Sequence, residues 1–187
     1  MYLFVGLGNA GDQYENTRHN IGRATLLSAI KKFDLPRPTH APKLQALVAE
    51  GKIGTEKIVV ILPETFVNKS GNAVGPATRF YKVKPDHIIL LHDDVDILLG
   101  ASKLSFGRNS GGHKGVESVM RALKTKNFWR MRIGVQKKRR VPGEDLVLQK
   151  FRGDEDAVAK KMIKKSLEAV EHIAIAGPER AMNEYNA

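Results

Sequence analysis

Tyr2-Leu3-Phe4-Val5-Gly6-Leu7-Gly8-Asn9-Ala10-Gly11 opens the chain with a β-branched and aromatic run that ends among glycines. An apolar run of this length with no polar alternation predicts a strand buried on both faces over Tyr2 to Leu7. Residues 9–20 are polar and turn-rich, and helical periodicity follows from about Ile21 to Phe33. Leu35-Pro36-Arg37-Pro38 ends that helix, because proline cannot donate a backbone hydrogen bond or continue the turn. The first unit is therefore strand, long polar loop, helix.

The rest of the chain repeats that alternation. Strands are predicted over Leu44–Glu50 and Lys57–Leu62, with Gly51 to Thr55 as the hairpin connection. Ser70 is a candidate cap for a helix reaching about Tyr81. His87 to His92 is the most apolar strand and is expected to stop at Asp93-Asp94. Ala101 to Phe106 and Trp129 to Val135 alternate as strands, and Val116 to Leu123 and Asp154 to Ala176 carry helical periods. A basic, mobile loop is expected over 136–145, and a short helix after Gly177-Pro178. Interleaved strands and helices, with no linker or repeat, predict one α/β domain over residues 1–187, its sheet covered on both faces. The polar loops 9–20, 63–70 and 93–100 each follow a strand. Ligands bind at the carboxyl ends of strands in such sheets, so the three are expected to converge on one site.

Gly6-Leu7-Gly8-Asn9-Ala10-Gly11 also fits the G-x-G-x-x-G pattern of dinucleotide-binding folds. That chemistry requires a helix to begin within the loop and present its N-terminus to the pyrophosphate. Here Asp12 to Asn20 intervenes, and Asp34, near the spacing expected of a ribose-binding acid, closes a helix instead. The glycines are read as a tight turn.

Composition narrows the chemistry further. The chain has no cysteine, which excludes disulfides, thiolate nucleophiles, Cys-based zinc sites and iron–sulfur clusters. Thirty-one Lys and Arg against twenty Asp and Glu leave a net charge of +11, which points to a polyanionic partner, nucleic acid first. Lys137-Lys138-Arg139-Arg140 is the one dense basic run; the remaining cations are spread out, which favours contact with a phosphate backbone over base reading. The apolar run at the N-terminus stops too soon for a signal peptide, and no apolar stretch is long enough to span a bilayer. A cytoplasmic monomer that makes no membrane contact is the expectation.

Among the remaining reactive groups, no G-x-S-x-G elbow activates a serine, and no H-E-x-x-H pair offers a metal. Asp94 and Asp96 read as turn-forming and capping carboxylates. His19 lies in the polar loop after the first strand, between Arg18 and Asn20, which is no place for a core residue, although a lone loop histidine is more often structural than catalytic; a carboxylate at another strand's end changes that balance. A neutral imidazole accepts a proton near neutral pH, and a carboxylate on its second nitrogen fixes the tautomer and stabilises the cation. Asp93, at another strand's carboxyl end, is the candidate for that carboxylate. Asn9 and Asn68, on the other polar loops, carry amides able to hold an ester or peptide carbonyl. On residue type alone, Asn68 as a turn residue and Asn9 as a φ > 0 residue between glycines are the favoured readings.

These segments together resemble the bacterial-type peptidyl-tRNA hydrolases. The resemblance runs through Val5-Gly6-Leu7-Gly8-Asn9, Tyr14, Thr17-Arg18-His19-Asn20-Ile21-Gly22, and Pro63-Glu64-Thr65-Phe66-Val67-Asn68-Lys69-Ser70-Gly71. It continues through Asp93-Asp94-Val95-Asp96, Gly100, Ser110-Gly111-Gly112-His113-Lys114-Gly115, Arg130-Met131-Arg132-Ile133-Gly134 and Glu179-Arg180-Ala181-Met182-Asn183. It implies a three-layer α/β domain with a mixed sheet between helices, hydrolysing the ester between a peptide and the 3′ ribose of tRNA with no metal or cofactor. It implies that His19 activates water, that Asp93 keeps it in its proton-accepting form, and that Asn9 distinguishes a blocked peptidyl group from a free aminoacyl group. Tyr14, Phe66 and Asn68 are implied to line the substrate site, and Lys103 and Arg132 to face tRNA phosphates.

The sequence departs from the family pattern at Ala10, Val67 and Lys114, where proline, methionine and asparagine are usual. Lys114 changes the chemistry most, since lysine only donates and adds a charge beside the implied substrate site. The alternative to the hydrolase is a non-catalytic RNA-binding relative of the same fold. Retention of His19, Asp93, Asn9 and Asn68 argues against it, because binding RNA needs no base.

Overall fold

The computed structural model describes residues 1–186. The first unit forms as its sequence dictates: β1 (Tyr2–Gly6), a long loop containing two 3-10 turns, then α1 (Ile21–Lys32). Leu3, Phe4 and Val5 are wholly buried, as a central strand requires. Phe4 belongs to the core beneath α1, and Leu3 and Val5 to the core on the opposite face.

Six further strands complete one sheet: β2 (Thr39–Ala41), β3 (Ala46–Ile53), β4 (Glu56–Pro63), β5 (Ile88–Leu98), β6 (Ser102–Phe106) and β7 (Trp129–Gln136). Their order is β2-β3-β4-β1-β5-β7-β6. Strands β4, β1, β5 and β7 run parallel, while β2, β3 and β6 extend the edges antiparallel, so the sheet is mixed. The other helices are α2 (Gly71–Phe80), α3 (Lys114–Leu123), a single turn α4 (Gly143–Leu146), α5 (Asp154–Ala176) and α6 (Pro178–Tyr185). Helices α1, α5 and α6 bury one core against the sheet, and α2 and α3 bury the other, which is the expected three-layer arrangement. At the β6 edge, Asn186 pairs with the strand through its side chain: Leu104 N–H donates to Oδ1 and Nδ2 donates to the Leu104 carbonyl, both at 2.7 Å.

Several expectations are corrected. The hairpin connection is Gly54-Thr55 alone; Gly51 lies inside β3, where a Cβ would come within 2.7 Å of the Leu35 side chain. β2 had no sequence expectation, and three mostly exposed residues leave too short a pattern to read. β5 does not stop at Asp93-Asp94 but runs through them, pairing with Ile133 and Gly134 of β7. Side-chain donors satisfy both carboxylates, so their polarity does not end the strand. Ser70 occupies the position before α2 without capping it; its hydroxyl donates to the Val67 carbonyl at 2.7 Å, and its backbone is already helical. Residues 136–145 are not wholly loop, since α4 begins at Gly143.

The glycines of the first loop are also corrected. Of Gly6, Gly8 and Gly11, only Gly11 has a positive φ, so a tight turn does not explain the other two. A Cβ on Gly8 would lie 2.9 Å from the Asn20 Oδ1, and glycine there admits the side chain that closes the loop. Asn9 is not a φ > 0 residue; Asn16 is.

Candidate active site

The three expected segments do meet, although the third is part of β5 and not a loop. A cleft of about 750 Å³ at the carboxyl ends of β1, β4 and β5 is lined by Asn9, His19, Phe66, Asn68, Asp93 and Lys114, with Val95, Val147 and Leu148 adding apolar wall. Tyr14 is not among the lining residues; it sits in the 3-10 turn Asp12–Tyr14, where its carbonyl accepts the Thr17 hydroxyl. Lys103 and Arg132 lie outside the cleft, directly opposed on β6 and β7.

His19 is placed by its neighbours. The backbone N–H groups of Arg18 and His19 donate to the carbonyls of Gln149 (3.0 Å) and Val147 (2.8 Å), so residues 16–19 are zipped to the segment after α4. Arg18 is entirely buried and anchors this arrangement. Its guanidinium donates to the Val135 carbonyl at 3.0 Å and to Glu155 at 2.5 Å, and it lies over the Phe151 ring. Asn20 exchanges two bonds with Asn9: it accepts the Asn9 N–H and donates to the Asn9 carbonyl, each at 2.9 Å. The Asn9 Oδ1 in turn accepts the Val67 N–H at 2.9 Å, which leaves its amide NH₂ as the group available to a substrate carbonyl.

Asp93 is the hub. Its side chain is 1% exposed, and one oxygen, Oδ1, accepts from His19 Nδ1 at 2.8 Å and from His113 Nε2 at 2.9 Å. A carboxylate only accepts, so both imidazole nitrogens facing it carry protons. His19 therefore bears its lone pair on Nε2, and this ring lines the cleft. Burial alone would push the Asp93 carboxyl up, but the two imidazoles hold it well below its ordinary value. Burial works against the His19 cation, yet the charge and hydrogen bond of Asp93 prevail and the pKa is raised above 6.5.

The ligating atoms of His19, Asp93 and His113 lie within 4.8 Å of one another, close enough to consider a metal ion. The proton inventory opposes it. His113 Nδ1 accepts the backbone N–H groups of Gly115 (3.1 Å) and Val116 (3.3 Å), so the ring proton belongs on Nε2, the atom that a metal would need bare.

The structure adds two residues to this neighbourhood that the sequence did not single out: His113, bonded to Asp93, and Arg130, buried beside Arg132. His113 lies in the Ser110–Gly115 segment, but histidine before a helix is a weak capping signal, and its distance from Asp93 is set by tertiary structure. Arg130, on β7, is 2% exposed and its NH₂ group donates to the Asn109 carbonyl at 2.9 Å. Burial, with Arg132 and Arg108 nearby, lowers its pKa to about 10. Asp94 gives partial relief: it holds Arg132 at 2.7 Å and accepts the Asp96 N–H, in part the turn role expected of it. This side of β6 and β7 thus carries crowded cations.

The sequence profile described as peptidyl-tRNA hydrolase matches residues 3–187. The peptidyl-tRNA hydrolase of Desulfitobacterium hafniense (strain Y51) is 38% identical over 189 residues, and that of Alkaliphilus metalliredigens (strain QYMF) is 35% identical over 186, each alignment covering all of both chains. The crystal structure of peptidyl-tRNA hydrolase from Acinetobacter baumannii superposes with a TM-score of 0.92 at 31% identity, covering 100% of this chain and 95% of that one. A crystallised complex of peptidyl-tRNA hydrolase with N-propanol gives the same score at 32% identity. With the family profile spanning residues 3–187 and full-length similarity in sequence and fold, the chain belongs to the peptidyl-tRNA hydrolase family.

Proposed function

We propose that this chain hydrolyses the ester joining a peptide to the 3′ ribose of tRNA, with His19 as general base. The observation that carries this reading is the His19 Nδ1–Asp93 Oδ1 bond of 2.8 Å, which leaves the lone pair on Nε2 of a ring that lines the cleft. Nε2 takes a proton from water as the oxygen attacks the ester carbonyl carbon. The acyl–oxygen bond breaks, the proton passes to the departing ribose oxygen, and free tRNA and an N-blocked peptide leave. Asp93 stabilises the imidazolium formed in between. The Asn9 and Asn68 amides orient substrate carbonyls, and Phe66 and Leu148, exposed at the cleft, offer apolar surface to the peptide. No step needs a metal or cofactor, and residues 1–187 act as one cytoplasmic, monomeric domain. Release of N-acetylated amino acid from acylated tRNA, compared with release from the unblocked form, tests the reading; no release of the blocked form would favour an RNA-binding relative.

Lys103 and Arg132 are assigned to tRNA phosphates, supported by their opposition on adjacent strands and the crowded cations around Arg130. Replacing Lys103 with alanine should reduce the slope of log affinity against log salt by about 1. The Arg132→Ala change should be smaller, because Asp94 already pairs with Arg132. Titrating binding across a salt series checks both, and an unchanged slope in Lys103→Ala would remove it from the interface.

Lys114 is exposed at the cleft rim, its Nζ 4.0 Å from Glu144 of α4. At that exposure the pair contributes little to stability, and the cation stays free to meet the anionic tRNA end. Lys114→Asn is expected to change KM more than kcat. An unchanged KM and salt dependence would count against contact with tRNA.

A further inference from the structure

We propose that His113 is a positioning residue that sets the basicity of His19 through the carboxylate they share. The inference rests on the reading of His19 as the base. It starts from a count of donors: both side chains donate to the same atom, Asp93 Oδ1, at 2.9 and 2.8 Å. A carboxylate oxygen that already accepts one N–H attracts a second less strongly, so the charge holding the His19 imidazolium is divided.

The fold makes that division permanent. His113 immediately precedes α3, and its Nδ1 accepts the free amides of Gly115 and Val116 in the first turn. Those amides take up the lone pair on Nδ1, so the neutral ring carries its proton on Nε2 and donates it to Asp93. They also lie at the positive end of the helix, which polarises the ring and makes its Nε2–H a stronger donor.

A third imidazole completes the support. His92 is wholly buried, donates Nδ1–H to the carbonyl of Asp93 at 2.7 Å, and meets the His113 ring edge-on with centroids 4.8 Å apart. Its Nε2 has no partner, and burial holds its pKa well below the ordinary value, so it packs as a neutral wall. The other charged groups around the cleft are Lys69 after β4, Asp94 on β5, Lys114 on α3 and Glu144 on α4. The charge of Arg18, beside His19, is already paired with Glu155. None of these groups hydrogen-bonds the His19 ring; Asp93 does, and the His113 ring lies 5.2 Å from it, centroid to centroid. Among the described residues, His113 is the side chain that shares the Asp93 Oδ1 atom with His19.

Two variants separate this role from capping. Asparagine at 113 keeps an acceptor suited to the start of α3 but is too short to donate to Asp93. Glutamine restores an amide donor at about the reach of the imidazole Nε2. In His113→Asn, a ¹⁵N NMR titration of the His19 ring should show its midpoint rising by about one pH unit. The acid limb of kcat/KM should follow, giving about tenfold lower activity on that limb. His113→Gln should return the midpoint at least halfway. A midpoint that stays put or falls in His113→Asn, even with a lower melting temperature, would reduce His113 to a structural cap and overturn the proposal. The NMR midpoint needs no turnover, so it judges His113 separately from the base assignment; a fully active His19→Ala enzyme would overturn that assignment instead.

Discussion

Replacing His19 with alanine should lower kcat/KM for an N-acetylaminoacyl-tRNA by roughly 100- to 10,000-fold, the range over which a positioned general base contributes. The fold should survive, because the ring lies at the cleft, partly exposed, and the backbone bond to Val147 does not involve it. tRNA affinity should change little, since the cations of β6 and β7 are elsewhere. The pH dependence sharpens the test. A base at His19 works only when neutral, and Asp93 raises the His19 pKa from the ordinary imidazole value against the effect of burial, so activity is expected to rise with pH through a midpoint above that ordinary value. Its stability contribution has the opposite sense: full below the unfolded pKa, and lost as pH rises through the higher folded one. The alanine variant should lose both dependences. Activity within a few-fold of the parent would end the case for His19.

Asp93→Asn should act on the same limb in the other direction. Asparagine is close in shape and can still accept hydrogen bonds, so the imidazole tautomer can persist while the charge is lost. The His19 cation then loses its counter-charge, and the acid limb should move to lower pH. A hydrogen bond to a charged group contributes about 1.5–3 kcal/mol, so kcat/KM at the plateau should fall by about 10- to 100-fold. An acid limb that did not move would break the link between Asp93 and His19. The contrast with His113→Asn is diagnostic, since that change should raise the same midpoint. Two asparagine substitutions on either side of one hydrogen bond are thus expected to shift one titration in opposite directions.

How much of the site was legible depended on whether its chemistry was local. His19 was conspicuous because a histidine in a polar loop after a buried strand has no packing role, and the structure puts it in the cleft. Asp93 was legible as a strand-end carboxylate, though β5 continues through it to Leu98. A single sequence shows that aspartate is unsuited to a strand but does not show the imidazole and guanidinium donors that make it acceptable there. The β2 edge and the true turn at Gly54-Thr55 were likewise hidden, because edge pairing and the packing of Gly51 on Leu35 are tertiary facts.

The alternation of buried strands and amphipathic helices by itself determined the α/β class, the first β-loop-α unit and the meeting of the segments after β1 and β4 with the Asp93 region at one end of the sheet. Those follow from periodicity and proline or glycine placement, which are local properties of the chain. Only the tertiary structure decided that His19 and His113 share a single oxygen of Asp93, that Asn20 locks Asn9, and that Arg18 buries its charge against Glu155. His19 and Asp93 are 74 residues apart, and Arg18 and Glu155 are 137. No local pattern encodes a hydrogen bond of 2.8 Å between groups so distant along the chain; the packing of α1, α3 and α5 on one sheet sets it.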